Sequence, residues 1–452
     1  MTRTLTRRDL LQAAAVGAGY FLSPRTLAAE QKSKYATALI GSGWWGMNIL
    51  REAIAAGQSD VVALCDVDRR ILDAAAAEVE KSTGRAPKKF GDYRELLEKE
   101  KPQIVIVGTP DHWHALQTIA AVQAGAHVYV EKPISHTIRE GRAMVNAARA
   151  AGRVVQVGTH RRVSPHNVAG REFIRSGKLG KIGMIRAFIQ YGGGPEKPRA
   201  NTAPPPELDW DMWCGPAPLR PYNGDPKNPW AGGIHPRGFR QYLDYANGTL
   251  GDCGIHWMDQ ILWITGAKWP RRIFSTGGRP IKGPPVLTAA EQTSDAPDHQ
   301  VAAFTFDDFT VSWEHRNFAG NGAEKGESVG CYFYGTEGTF HMGWQQGAVF
   351  YPLDRNREPV RFAPELHNPD DQNIQELWAD FLDAIQIGRR PVCDIEDIYR
   401  STNVSLLGML SCKLGRSVQW DGEKEVIVDD PAANQLLQRE YRAPWKYPRV
   451  PA

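Results

Sequence analysis

A glycine turn set between an apolar run and a helical pattern constrains this chain more than any other feature. Residues Tyr35–Ile40 form a short apolar run, and Gly41, Gly43 and Gly46 follow in G-x-G-x-x-G spacing. Trp45, Ile49 and Ile54 then recur near a helical period. A second apolar run covers residues 61–65, and Asp66 closes it twenty residues past Gly46. Strand, glycine turn, helix, strand and acid in this order predict a parallel βαβ unit that holds a dinucleotide. Gly41 permits the tight turn, Gly43 lets backbone approach a pyrophosphate, and Gly46 lets helix pack closely on strand. The helix start turns N–H groups and a positive dipole end toward the phosphates. Asp66 can accept hydrogen bonds from ribose hydroxyls, which favours NAD because a 2′-phosphate would be repelled there. Arg69 and Arg70, just beyond, leave NADP open.

The alternation continues. Residues 70–81 read as an Ala-rich helix, and 92–98 start another. Residues 104–107 are a continuous apolar run, as befits a parallel strand buried on both faces. It ends in Gly108-Thr109-Pro110-Asp111, at the carboxyl edge where open α/β sheets bind ligands. A helix over 115–124, a strand over 128–130, a helix over 138–151 and a strand over 154–157 complete a doubly wound parallel sheet. The nucleotide domain is therefore placed at 30–158. Glu131-Lys132-Pro133 lies at a second carboxyl edge. Pro133 restricts Lys132 to extended backbone, from which its ammonium can reach the crevice, although a solvated surface lysine fits the same pattern. His112 and His114, read as extended, share one face and could suit a metal. No third ligand accompanies them, so no metal is predicted, and His114 is expected to contact cofactor or to pack at the helix start.

From Arg161 the character changes. A helix is predicted over 167–175 and an alternating strand over 183–191. Residues 192–245 then form a long loop rich in Gly, Pro and Trp, including Trp210, Trp213 and Trp230. So long a loop is usually functional, and tryptophan faces suit a sugar, though aromatic self-packing explains it equally. A helix is expected from about Gly251. It would place Asp252 and His256 four residues apart on one face, where a carboxylate can orient an imidazole and raise its basicity. A helix cap and a core histidine fit the same spacing. Strand runs near 273–276, 301–306, 309–316, 330–334 and 339–342 predict an antiparallel meander, hence an α+β domain over 159–452 built on one large, mostly antiparallel sheet. Helices are expected over 375–387 and 395–414, then a polar irregular tail.

The chain has 452 residues, enough for two domains, and a net charge of +3 gives no electrostatic case for nucleic acid. Thr6-Arg7-Arg8-Asp9-Leu10-Leu11, the mild apolar stretch 10–22 and the small pair Ala28-Ala29 read as a twin-arginine export signal over 1–29. The stretch is too short to span a bilayer, so no stable membrane anchor is expected. The six cysteines form no C-x-x-C pair. Because the twin-arginine route carries folded cargo, folding happens in a reducing compartment, and mostly free thiols are expected.

These motifs together resemble the glucose–fructose oxidoreductase / inositol dehydrogenase / rhizopine-catabolism (Gfo/Idh/MocA) oxidoreductases. The resemblance rests on GSGWWG at 41–46, GTPDHWH at 108–114, EKP at 131–133 and the D-x-x-x-H pair Asp252 and His256, and it covers nearly all of 35–443. WDMWCGP, FLDAIQIGRRPVCDIED and YRAPW look like an exported branch of that family. The resemblance implies that Gly41, Gly43, Trp45, Gly46, Asp66, Thr109, His114, Glu131 and Lys132 hold a dinucleotide. It implies Lys132, Asp252 and His256 as catalytic groups: Lys132 polarising the reacting oxygen, His256 taking the hydroxyl proton, Asp252 orienting it or binding substrate. It puts substrate near Arg161, Tyr191, Trp213, His235 and Arg237.

Export adds a physical consequence. The envelope has no soluble NAD pool, so an exported dehydrogenase is expected to carry its dinucleotide tightly bound from the cytoplasm to the periplasm, with the twin-arginine translocase as a transient partner. The leading expectation is an NAD(P)-dependent sugar oxidoreductase. The alternatives are a glycoside hydrolase working by transient oxidation and elimination, and a catalytically silent ligand binder. An exposed sheet face would favour a homodimer or homotetramer.

Overall fold

A computed structural model describes residues 34–230, 233–367 and 372–449, and the residues from Tyr35 onward belong to one compact unit. The export signal predicted over 1–29 lies outside the described residues.

The first half alternates strand and helix: β1 (Tyr35–Ile40), α1 (Trp44–Ala55), β2 (Ser59–Cys65), α2 (Arg69–Thr83), β3 (Lys88–Phe90), α3 (Tyr93–Glu100), β4 (Ile104–Val107), α4 (Asp111–Gln123), β5 (His127–Val130), α5 (Ile138–Ala150) and β6 (Val155–Val157). Their sheet is wholly parallel in the order β3-β2-β1-β4-β5-β6. The order reverses between β1 and β4, which opens a crevice beyond their carboxyl ends. Local chemistry sets the helix starts. The Asp68 and Asp92 carboxylates cap α2 and α3, and Thr137 with Glu140 makes a reciprocal capping box on α5. Unlike these, α1 starts at Gly43 with no side-chain cap.

Glycines hold the turn together. Gly41 has φ +90°, a left-handed conformation that a side chain disfavours. A Cβ on Gly46 would collide with the Gly41 carbonyl oxygen, and one on Gly108 would lie 2.8 Å from the Gly46 Cα. The β1 turn, α1 and the end of β4 can approach this closely only through glycine.

The second half begins with the turn His160–Arg162 and α6 (Pro165–Arg175), then β7 (Ile182–Gln190). The helix expected around Asp252 is two pieces, α7 (Gly248–Asp252) and α8 (Gly254–Thr265), parted at Cys253. A large sheet follows: β8 (Arg272–Gly278), β9 (His299–Thr305), β10 (Thr310–Arg316), β11 (Val329–Gly335), β12 (Gly338–Gly343), β13 (Ala348–Pro352), β14 (Val360–Phe362), β15 (Val418–Asp421) and β16 (Val426–Ile427). With β7 it runs β14-β13-β12-β11-β7-β10-β9-β8-β15-β16. The sheet is mostly antiparallel, as expected; the exception is β7, which pairs parallel with β10, because the chain crosses back through the long loop and two helices before rejoining the sheet. The alternation expected of β7 also fails, since its last four residues are all buried.

Helices α9 (Ile374–Ile387) and α10 (Ile395–Leu414) complete the core. α10 packs on α8 and β8 on one side and on α5 and β6 on the other, so one helix spans both halves. A buried ion pair reinforces this: Arg162 binds Asp259 of α8 through two bonds of 2.7 and 2.9 Å, and Ser401 of α10 donates to the same carboxylate. The long loop has its own small core of Trp210, Trp213, Tyr222, Phe239, Tyr242 and Tyr245.

The tail is not irregular. It adds β15 and β16 to the sheet edge, forms a short helix over Pro431–Gln435, and then returns across the nucleotide half. Arg439 pairs with Glu140 at 2.9 Å and donates to the His112 carbonyl, Tyr441 donates to Glu140, and the Trp445 ring meets Trp113 edge-on at 4.8 Å. All six cysteines carry free thiols.

Candidate active site

A cleft of about 1370 Å³ runs from the glycine turn to the face of the large sheet. Gly41, Gly43, Trp45, Asp66, Thr109, Glu131 and Lys132 line it on the nucleotide side. Asp252, His256, Tyr191, Trp213, His235 and Arg237 line it on the other. The structure thus brings most of the sequence-predicted residues to one space.

At the dinucleotide end the donor set fits the expected group. A Cβ at Gly43 would meet nothing within 4 Å, so the uncapped first turn of α1 faces open cleft where a pyrophosphate would rest. Asp66 is pinned by two main-chain bonds, from Ser42 N (2.8 Å) and Asp68 N (2.9 Å), one to each carboxylate oxygen. Each oxygen retains capacity for a ribose hydroxyl. Burial pushes its pKa up to about 6 against those hydrogen bonds. Glu131 is also driven up, to about 7, chiefly by burial, while it accepts a hydrogen bond from the Trp45 indole. Its place depends on Gly158, where any Cβ would strike the carboxylate.

The polar cluster in the middle of the cleft is built on Lys132. Its ammonium donates to Asp252 Oδ1 and to the Asp252 main-chain carbonyl, both at 2.8 Å. Arg240 approaches the other Asp252 oxygen at 3.4 Å. Burial opposes the charge on Lys132 most strongly, but the Asp252 carboxylate, with smaller help from Cys253 and Glu131, more than offsets it and holds the pKa above the usual lysine value. Burial likewise opposes the charge on Asp252, and Lys132 and Arg240 overcome it, so the carboxylate stays ionised far below its usual range.

His256 departs from the sequence expectation. No hydrogen bond joins it to Asp252, because the break at Cys253 turns the carboxylate toward Lys132 instead of down the helix. The His256 ring packs against His160 at 5.1 Å and against the edge of Trp344 at 5.1 Å. Burial, then the charges of Lys132 and Arg161, push its pKa well below that of free imidazole, so it is neutral at pH 7.

Three predicted residues do not reach the cleft wall. Gly46 serves the packing beneath the turn. The His114 ring nitrogens face the Pro133 and Thr109 carbonyls, each at 2.7 Å, so it braces the two strand-end loops from behind. Its pairing with His112 is also lost: both lie on α4, where residues two apart point to different sides, and His112 bonds the Trp213 carbonyl instead. Arg161 is buried with its guanidinium 3.5 Å over the Trp344 ring and donates to the Trp344 carbonyl, so it acts behind the cleft wall.

Trp213 reaches the cleft, yet one face is stacked on Trp210 at 4.6 Å and its edges meet His235 and Tyr245. Arg237 sits over Trp44 and Trp230 near the glycine turn.

Four positions in the cleft wall or directly behind it escaped the sequence reading. Asp111, at the start of α4, lines the cleft with Oδ2 lacking a partner among the described residues. Burial, aided by the charge of Asp252, lifts it to about 7. A carboxylate directly after Thr109-Pro110 at a strand's carboxyl edge was the available signal. Arg240, His160 and Trp344 left no local signal.

Two family models match the chain. One, described as an oxidoreductase family, NAD-binding Rossmann fold, covers residues 35–159. The other, the same family's C-terminal alpha/beta domain, covers 188–273 and 335–447. Among curated proteins, the chain is 30% identical over 193 residues to a "Glycosyl hydrolase family 109 protein" of Stenotrophomonas maltophilia, covering 41% of this chain and 42% of that protein. It is 34% identical over 152 residues to a 1,5-anhydro-D-fructose reductase of Ensifer adhaerens, covering 32% and 44%. The chain thus spans less than half the length of these curated relatives. Among solved structures, an oxidoreductase domain protein from Kribbella flavida superposes with a TM-score of 0.66 at 22% identity, over 86% of this chain and 99% of that one, which shows a shared fold. With both halves matched by its models, the chain belongs to the Gfo/Idh/MocA family of NAD-binding oxidoreductases.

Proposed function

We propose that this protein is an NAD-dependent oxidoreductase that moves hydride between a nicotinamide dinucleotide and a hydroxyl or ketone of a sugar or sugar derivative. One observation carries the reading: Lys132, Asp252 and His256 line the same cleft as Gly41, Gly43 and Asp66, so proton-handling groups share a space with a dinucleotide cradle. The bound nicotinamide supplies the hydride acceptor or donor.

The chain's own residues do the rest. Lys132, kept charged by Asp252, stabilises the reacting oxygen as negative charge develops on it. The neutral His256 imidazole accepts the hydroxyl proton during oxidation and returns it during reduction. Asp252 acts through Lys132. Asp66 favours NAD over NADP by receiving the ribose hydroxyls, and the Trp44 and Trp230 rings, edge to face at 5.6 Å on the cleft wall, support tight retention. The twin-arginine pattern at Arg7 and Arg8 supports passage through the translocase to the periplasm as folded holoprotein. Met184, Phe274 and Val301, exposed on the outer sheet face, support a homodimer or homotetramer.

A second reading is a redox-neutral glycosidase using the same groups. The similarity to the Stenotrophomonas protein favours it. The test is mass spectrometry of purified, unheated protein for a retained dinucleotide, followed by a scan of sugars and aryl glycosides against nicotinamide absorbance. A retained dinucleotide and net absorbance change with a sugar support the dehydrogenase. Release of the aryl group without net change supports the glycosidase. A protein that neither retains nor binds NAD overturns both.

A further inference from the structure

The proposed chemistry needs His256 to hold a defined tautomer, and the residue expected to fix it, Asp252, is committed to Lys132 and Arg240. Something else must orient the ring. His256 lines the cleft, but its Nδ1 is buried and meets no hydrogen-bond partner among the described residues. A buried ring nitrogen left unpaired is costly, so such atoms nearly always acquire a partner in the working protein.

His160 is the polar side chain stacked against this ring. It is 1% exposed, its ring centroid lies 5.1 Å from that of His256 with the planes 43° apart, and its Nε2 is also buried and without a partner. Both rings abut Trp344, His160 at 5.9 Å and His256 at 5.1 Å, so the two imidazoles and the indole form one packed unit. Their carriers are welded together: His160 stands on the His160–Arg162 turn and His256 on α8, and the buried Arg162–Asp259 pair ties that turn to that helix. The 5.1 Å between ring centroids suits an in-line N–H···N bond, the terminal torsion of histidine is soft, and catalytic hydrogen bonds commonly tighten only when ligands bind.

We propose that His160 is the positioning residue for His256, its Nε2 accepting a hydrogen bond from His256 Nδ1–H and so leaving His256 Nε2 as the proton acceptor in the cleft. Gln372 hydrogen-bonds His160 while Nε2 stays unpartnered, which allows His160 to carry its own proton on Nδ1 and keep Nε2 as an acceptor. The charged groups facing the pair are Lys132 and Arg161, which disfavour protonation, and Asp252, which favours it at His256. A neutral acceptor suits this setting. It fixes the tautomer and steadies the imidazolium when His256 takes a proton, without adding a charge that would compete with Lys132. The role rests on the oxidoreductase reading.

The experiment uses full-length protein loaded with NAD. Nitrogen-15 histidine spectra, with the His256 signals assigned by their loss in His256→Gln, report which ring nitrogen carries the proton. The expected result is a single Nδ1–H tautomer in the wild type, a shift to Nε2–H or a mixture in His160→Phe, and retention of Nδ1–H in His160→Gln, whose amide oxygen can accept the same bond. With 1,5-anhydro-D-fructose and NADH as the probe pair, His160→Phe is expected to lower kcat at least tenfold with KM within twofold, and to move the acid limb of kcat/KM to lower pH. His160→Gln is expected to recover most of kcat. An Nε2–H tautomer in the wild type, or one unchanged in a folded His160→Phe protein, overturns the proposal. Equal loss of kcat in both variants without movement of the acid limb also overturns it. The tautomer readout needs no turnover. Failure of the oxidoreductase reading, seen as a wild type that binds no dinucleotide, is therefore distinct from failure of the His160 assignment.

Discussion

Lys132 reaches across from the nucleotide half to grip Asp252 twice, through one carboxylate oxygen and through the main-chain carbonyl, each at 2.8 Å. The carboxylate belongs to α7 and the lysine to the loop after β5, so this contact joins the two walls of the cleft at the point assigned to chemistry. Its electrostatic effect decides the state of the lysine. Burial alone would favour the neutral amine, and Asp252, as the largest of the opposing charges, leads the groups that reverse that.

Asp252→Asn is therefore expected to lower the Lys132 pKa, because burial remains and the largest compensating charge is gone. The wild-type ammonium persists through alkaline pH, whereas the variant should lose it as pH rises. The basic limb of kcat/KM should move to lower pH, and turnover near neutrality should fall on the order of 10²-fold, the scale of losing one electrostatic stabiliser. Dinucleotide binding should survive. A pH–rate profile checks this, and an unmoved basic limb would remove Asp252 from its role.

The glycine turn separates fold from function at two positions three residues apart. Gly46→Ala drives a methyl into the Gly41 carbonyl, which lies in the packed turn beneath α1, so it should destabilise the protein by at least about 1–3 kcal/mol. Gly43→Ala meets open space and should leave the melting temperature nearly unchanged. Its methyl would still project where backbone must approach a pyrophosphate, so NAD affinity should drop at least tenfold. Thermal melts paired with titration calorimetry on apoprotein distinguish the two effects.

Asp66 gives a pH signature for cofactor binding. Its folded-state pKa is raised to about 6, and only the ionised carboxylate accepts from both ribose hydroxyls. Affinity for NAD should be flat above neutrality and weaken as pH falls through about 6, by up to about tenfold per unit below it. Glu131, raised to about 7, lines the same end, so the control matters. Asp66→Asn should flatten the lower part of the profile and improve the relative affinity for NADP. Fluorescence titration between mildly acidic and neutral pH measures both.

The nucleotide half was legible because its signals are local. The Ile104–Val107 run is buried throughout, the helices around it carry their own caps, and the glycine spacing encodes a turn within six residues. The second half hid what depends on distance. The apolar period runs unbroken across Cys253, so nothing in the sequence announced that α7 and α8 are separate and that Asp252 turns away from His256. His112 and His114 looked paired because alternation was read as extended structure, but Pro110 caps a helix that begins one residue before them. Arg240 and Trp344 come to the cleft, and His160 to the layer behind His256, from three separate elements, and no periodicity joins positions so far apart in the chain. Short edge strands such as Val360–Phe362, largely exposed, lack the apolar contrast that marks a core strand.

The tail offers the sharpest test of a misread segment. Glu140 is 1% exposed and serves two structures at once: it closes the capping box of α5 with Thr137, and it accepts from Arg439 and Tyr441. The Arg439 guanidinium also donates to the carbonyls of His112 and Asp244, so one side chain fastens the tail to α4 and to the end of the long loop. Removing it strands a buried carboxylate whose remaining donors are a hydroxyl and main-chain N–H groups. Arg439→Ala should therefore destabilise the protein by about 3–5 kcal/mol, the scale for breaking one side of a buried pair. Glu140→Gln with Arg439→Met, which removes both charges while keeping volume, should recover much of that loss, because a neutral amide can still cap α5. Denaturant unfolding of the single and double variants measures the difference. Equal stability of Arg439→Ala and wild type would mean that the tail lies on the nucleotide half without holding it.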